Sequence, residues 1–241
     1  MLWGVDAVKS RRAEYAEQTR VALLDAARRA FAEHGFADTS IAAVAAAARV
    51  TKGAVYHHFS DKAGLFEAVM DQQEEAAQAK VHAAIAQHPD DVWNAAMAAL
   101  DATLDVCCDP VAGPLIYLEG PVGLGWRRWR DYERKYVCIN VELLLRAAIN
   151  AGIYADTIPI GAMTQVVSGM ITHAGIALAE ANTRQRNRLR TELREAIARV
   201  LGRLREQAQV PRRGRGHLAA DPAPAARLDD SSDESNYAEG M

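Results

Sequence analysis

The sequence predicts an all-α protein of about nine helices, with a three-helix helix-turn-helix headpiece near the N-terminus followed by a helical bundle. Three observations lead there. Half of the 241 residues are hydrophobic and alanine abounds, with eight prolines and no sustained alternation of Val, Ile and Thr, so the periodic segments read as helices. Apolar residues recur at steps of three and four. Charge is also divided: nine bases against six acids between Lys9 and Lys62 give +3, in a chain whose net charge is -3, leaving -6 for the remainder.

The basic opening, residues 1–12, reads as a flexible arm. In "EQTRVALLDAARRAFAEHGF" Val21, Leu24, Ala27 and Phe31 share one stripe, and Gly35 is the stop of a first helix. "DTSIAAVAAAARV" offers the hydroxyls of Thr39 and Ser40 to a second helix start, with Ile41, Val44, Ala45 and Ala48 as its apolar face. Thr51 starts a third helix after a tight turn around Arg49 and Val50. Ser60 or Asp61 caps a fourth, in which Leu65, Phe66, Val69 and Met70 repeat at core spacing and which runs on through the polar "DQQEEAAQAK" as a connector to the second half.

Past Pro89, Trp93, Met97, Leu100 and Leu104 mark the apolar side of another helix. "DPVAGPLIYLEGPVGLG" is rich in proline and glycine and reads as a short helical piece between loops, with Glu119 a solvated loop carboxylate in preference to a receiver for a polar ligand group. Periodicity resumes at Trp129, Tyr136, Ile139, Leu143 and Ala147, and Gly152 ends that helix. Of the two helices that follow, the first scatters small residues among Met163, Val166, Val167, Met170 and Ile171. The second repeats Leu189, Leu193, Ile197, Val200 and Leu204 at steps of four, four, three and four. Paired with two symmetry mates they would form a four-helix dimer interface, for which Val167, Met170, Ile171, Ala174 and the five seam residues are the candidates. The headpiece is expected over 13–70, the bundle over 71–207, and a disordered tail, poor in large apolar residues, over 208–241.

Several function classes find no support. No apolar run reaches the roughly 18 residues of a membrane span, and "MLWGVDAVKSRR" lacks the order of a signal peptide, so a cytoplasmic protein with no membrane partner is expected. The Arg-rich final helix carries an apolar seam too narrow for a membrane surface. Cys107, Cys108 and Cys138 leave open a thiol-based redox sensor or enzyme. No Gly-x-Ser-x-Gly, His-Glu-x-x-His or phosphate-binding glycine loop accompanies them, and neither an enzyme nor a cofactor is expected.

In "RVTKGAVYHHFSDK" the adjacent His57 and His58 diverge by about 100° on a helix, which does not suit a shared metal. The same geometry puts Thr51, Val55 and Phe59 on the packed side, turns Gly53, Ala54, Tyr56 and His57 outward, and leaves His58 at the flank. An outward surface of small side chains rimmed by polar rings suits a helix lying deep in a groove of DNA, and Lys62 at the next helix start suits a phosphate.

"LLDAARRAFAEHGFADTSIAAVAAAARVTKGAVYHHFSDKAGLFEAV" resembles the DNA-binding headpiece of the tetracycline-repressor (TetR) family of bacterial regulators, from Leu23 to Val69. The resemblance rests on Phe31, Gly35, Thr39, Ser40, Val50, Lys52, Gly53, Tyr56, Phe59, Lys62 and Leu65 in this order. It implies that Thr51, Lys52, Gly53 and Ala54 face bases or adjacent backbone and that Tyr56, His57 and Lys62 hold phosphates of a double-stranded operator. Arg49 stands where the family often has glycine; at positive φ it would cost roughly 1 kcal/mol, which its charge near DNA would offset. The resemblance also implies a homodimer, a small largely apolar inducer and repression. For the inducer pocket the candidates are Trp93, Met97, Leu104, Leu118, Trp126, Trp129, Tyr136, Met163, Met170 and His173, large or polarizable residues on converging helices.

Overall fold

A computed structural model describes the backbone of residues 4–208 and the side chains of residues 13–205. These residues form nine helices and no strand: α1 Gly4–Asp38, α2 Ile41–Ala47, α3 Lys52–His58, α4 Lys62–Ala86, α5 Val92–Cys108, α6 over 112–124, α7 over 126–150, α8 Ile160–Glu180 and α9 Thr183–Ala208. The tail expected over 208–241 lies, apart from Ala208, outside the described residues. The arm expected to be flexible is instead helical from Gly4, since no glycine or proline interrupts residues 5–18.

The headpiece core is a meeting of α1, α2, α3 and the start of α4. Leu23, Leu24, Ala27, Phe31, Val44, Val55, Leu65 and Phe66 are buried there, while Val21, expected on the stripe, is exposed. Phe31 and Phe36 each set an edge against the Phe66 ring, at centroid separations of 5.0 and 5.1 Å. Ser40, Thr51 and Asp61 cap α2, α3 and α4 by accepting from Ala43, Ala54 and Gly64 amides. Thr39 does not cap: its hydroxyl donates to the Ala30 and Gly35 carbonyls and fastens the end of α1.

Without a break, α4 passes from the headpiece into the bundle, crossing the boundary expected after residue 70. There it packs on α5, which also carries α8 and α9. The segment over 112–124 is one continuous helix rather than a piece between loops, because a π turn at Leu115–Glu119 takes up its irregular spacing. A second π turn, Arg134–Cys138, lies inside α7. It adds one residue to the turn, so the buried positions run Trp129, Tyr132, Tyr136 and then Val141, Leu145, Ala148. Ile139 and Leu143, expected on the apolar stripe, are rotated to the surface.

Among the described residues α8 is the one helix long and apolar enough, by length and composition, to cross a membrane. Its inner face, including Val167, Ile171, Ala174 and Leu178, is buried in the bundle. The Arg-rich face of α9 is partly consumed internally: Arg186 donates to the carbonyls of Leu178, Ala181 and Cys108, where α8 and α5 end, and Arg190 pairs with Asp101 and Asp105.

Candidate nucleic-acid interface and bundle cavity

The surface of α3 has the division its sequence predicts. Val55 and Phe59 are buried, Thr51, Lys52, Gly53, Tyr56 and His57 are exposed, and Ala54 and His58 lie between. A Cβ built on Gly53 would meet only the Thr51 hydroxyl, at 3.8 Å, an ordinary contact. The subunit's own packing therefore does not require glycine at this position. Lys52 lies 5.8 Å from the centroid of the Tyr56 ring, and both remain at the surface.

The turn before α3 is a Schellman motif. The Val50 amide donates to the Ala45 carbonyl and the Arg49 amide to that of Ala46, which forces φ 58° on Arg49. An arginine in this left-handed conformation costs about 1–2 kcal/mol, and the motif aims an exposed cation alongside the start of α3. Lys62 has another employment than the expected phosphate. Its ammonium donates to the Phe36 and Ala37 carbonyls at 2.8 and 3.0 Å and sits 4.5 Å from the Phe36 ring centroid, closing the end of α1.

The amide side of Phe36 is held from the bundle. Glu119, expected to be a solvated loop carboxylate, accepts from the Phe36 amide at 2.6 Å. Gly35 makes this approach possible: it breaks α1 at φ 75°, and even a bare Cβ there would lie 3.2 Å from the Glu119 carboxylate oxygens. Glu119 is the last residue of the π turn in α6, and Ile116 and Tyr117 of the same turn face the interior of the bundle.

That interior contains a cavity of about 110 Å³ bounded by α4 through α9 and the α7–α8 connection. Trp93 and Tyr136 line it as expected, together with Ala77, Gln78, Val81, Leu100, Thr103, Ile116, Tyr117, Asn140, Val141, Leu145, Tyr154 and Leu201. The remaining pocket candidates do not. Met97 and Leu104 are core residues away from the opening, and Trp129 is buried with its indole N–H on the Ile116 carbonyl. Leu118, Met163 and Met170 pack against the core from its periphery. Trp126 is 64% exposed and His173 points outward from α8.

Of the dimer candidates, Val167, Ile171 and Ile197 instead form part of the cavity wall and Ala174 is buried in the subunit. The reason is rotational. Of the α9 seam only Ile197 is buried, whereas the α9 side chains that pair with Asp101 of α5 are Arg190 and Arg194, outside the seam. Met170, Leu189, Leu193 and Leu204 are half-buried, and Val200 is exposed.

Besides Glu119, one residue that the sequence does not single out stands out, Glu74. Glu74 lay in a segment read as a polar connector, yet steps of four, three and four from Met70 through Glu74, Ala77 and Val81 keep it on the buried side of α4. It is 7% exposed and lines the cavity. Burial, reinforced by the negative charge of Asp71 and opposed by Lys135, pushes its pKa up to about 8. Between the ordinary carboxyl value of 4.5 and about 8, the folded state holds a proton that the unfolded state has released, so stability falls as pH rises through this window. Glu74→Gln is expected to remove that slope and to be more stable than the parent at pH 8, by an amount on the order of a few kcal/mol. Urea titrations at pH 5, 6.5 and 8 measure it; parallel pH profiles for the two proteins would contradict the assignment.

Burial works against thiol activation at the two adjacent cysteines. Cys107 is buried and its thiol pKa is pushed up to about 12 by burial, while burial also raises that of Cys108. Nucleophilic thiols need the opposite shift. Cys138 is buried as well.

Comparison with known proteins matches both halves of this architecture. Residues 23–69 fit the family of bacterial regulatory proteins named tetR, and residues 93–204 fit a tetracyclin repressor-like C-terminal domain. The regulator TtgR of Pseudomonas putida is 45% identical over 62 residues, 26% of this chain and 30% of that protein. AcrR of Shigella flexneri is 44% identical over 59 residues, 24% of this chain and 27% of that protein. The chain thus aligns with less than a third of the length of these curated relatives. A crystal structure of a TetR-family transcriptional regulator from Pectobacterium atrosepticum extends the likeness over the whole fold, with 30% identity, a TM-score of 0.67, and coverage of 80% of this chain and 96% of that one. With the headpiece and bundle both matched, and the likeness running nearly the full length of a relative, the chain belongs to the TetR family of bacterial regulators.

Proposed function

We propose that the protein is a ligand-responsive transcriptional repressor that binds a palindromic operator as a homodimer in the cytoplasm and leaves it when a small, largely apolar molecule enters the bundle cavity. The observation carrying this reading is the outward face of α3. It is exposed, flanked by Lys52 and Arg49, and has at Gly53 a gap that the subunit itself does not fill. A helix so shaped can lie in the major groove with Thr51, Gly53 and Ala54 at the base edges and Lys52, Tyr56 and His57 toward the phosphates.

Dimerisation through α8 and α9 would bring two such helices to a spacing of about 34 Å or a small multiple. Their outer faces offer Val166, 57% exposed, and Val200, 48% exposed, with half-buried Met170, Leu189 and Leu193 beside them. Coupling runs through α6: its π turn presents Ile116 and Tyr117 to the cavity and Glu119 to the headpiece, so a ligand pressing on the first pair moves the support of the second. A coupling of about 1–3 kcal/mol is typical of such devices. The test is a gel-shift titration with a palindromic fragment from upstream of the protein's own gene. Tight binding that weakens steeply with salt is expected, and equal binding to random DNA at every salt concentration would overturn the proposal.

A further inference from the structure

The cavity wall contains a carboxyl group that the fold itself does not use. Glu74 is 7% exposed, faces the cavity, and has no hydrogen bond or ion pair among the described residues. Its polar neighbours in the wall are otherwise engaged. The Gln78 amide donates to the Tyr136 carbonyl, and that of Asn140 to the same carbonyl and to Gln78. The hydroxyls of Thr103 and Tyr154 donate to the Ala99 and Leu201 carbonyls. Tyr117 meets the Cys107 thiol and Tyr136 meets Lys135. A buried carboxyl without a partner is costly to a fold, and a bound molecule could remove that cost.

We propose that the cavity takes a compact apolar molecule bearing one basic nitrogen, whose ammonium group pairs with the Glu74 carboxylate while its body lies among Leu100, Ile116 and Ile171. The inference rests on the reading of this cavity as the effector site. It commits to a cation because of the charges around Glu74. Asp71 on the same helix adds negative potential; Lys135 on α7 opposes it, but from the surface; Cys107 on α5 and Tyr117 on α6 are neutral. Tyr117 and Tyr136 also line the wall, and the Tyr136 ring already holds a cation, the Lys135 ammonium, 4.5 Å from its centroid. An anion would be set beside two acids, and a neutral hydrocarbon would leave the carboxyl bare.

The proton balance provides a signature. Near neutral pH the empty site holds a proton on Glu74, whose pKa is pushed up to about 8 by burial. An ammonium ligand turns that group into a carboxylate and its proton passes to solvent, one per ligand bound. At higher pH the proton is already gone and the release fades.

Isothermal titration calorimetry of the full chain with 2-phenylethylamine, 2-phenylethanol and 3-phenylpropanoate tests this, in two buffers of different ionisation enthalpy. The amine is expected to bind at least tenfold more tightly than the alcohol or the acid and to release close to one proton at neutral pH. Glu74→Gln should lower amine affinity at least tenfold and leave the alcohol's unchanged. Proton release from the parent protein decides the matter even if the variant folds poorly. Equal affinity for the three probes, or amine binding without proton release, overturns the amine assignment while leaving the cavity as an effector site. Failure of all three probes to bind overturns the assignment together with the reading of the cavity.

Discussion

Gly53→Ala is expected to fold at least as well as the parent and to bind the operator about ten- to a hundredfold more weakly. The two effects have separate causes. Within the subunit the added methyl group finds an ordinary contact, with the Thr51 hydroxyl at 3.8 Å, and alanine gains up to about 1 kcal/mol of helix propensity over glycine. In the groove the methyl group occupies space that the proposed complex needs for close approach, and one disrupted contact at base edges typically costs about 1–3 kcal/mol. The measurement is a pair: thermal midpoint by circular dichroism and operator affinity by fluorescence anisotropy at fixed salt. Unchanged affinity in a well-folded variant would mean that α3 does not enter the groove by this face.

Glu119→Ala is expected to lower stability by about 1.5–3 kcal/mol, and to do so at the contact between the bundle and the headpiece. The lost interaction is a charge-assisted hydrogen bond of 2.6 Å from a part-buried amide, which no other group replaces once the carboxylate is removed. Hydrogen exchange at the Phe36 amide should accelerate far more than at Leu24 in the headpiece core, and the urea midpoint should fall. Exchange at Phe36 as slow as in the parent would show that the carboxylate merely rests there. Because Lys62 grips the same residue through its carbonyl, the headpiece should stay folded while its attachment loosens.

The headpiece was the most legible part of the sequence, for a physical reason. Its α2 and α3 are short, α2, α3 and α4 each open with a side chain that caps them, and the apolar residues of α3 and α4 follow regular helical periods, so Ser40, Thr51, Asp61, Val55 and Phe59 all take the roles their spacing implies. Lys62 shows the limit: a lysine at a helix start suits a phosphate and a neighbouring carbonyl equally well, and only the fold brings Phe36 within its reach. The bundle was less legible because two π turns break the period on which the reading relied. Ile139 and Leu143 continue the stripe of a regular helix, yet the turn at Arg134–Cys138 shifts burial to Val141 and Leu145. Val167, Ile171 and Ile197, candidates for a dimer face, line the cavity, and periodicity alone cannot say whether an apolar row faces its own subunit or another. Glu74 was hidden by its composition, as one acid in a run of polar residues, although its register already marked it as inward.

The widened turn at Arg134–Cys138 also bears on how this protein should be compared with its kin. A helix carrying one surplus residue can lose it by tightening to ordinary pitch, with its far half rotating back by about a third of a turn. Where that residue is deleted instead, the same tightening leaves the far half in place, so a relative without it would still turn the equivalents of Val141, Leu145 and Ala148 toward the chamber.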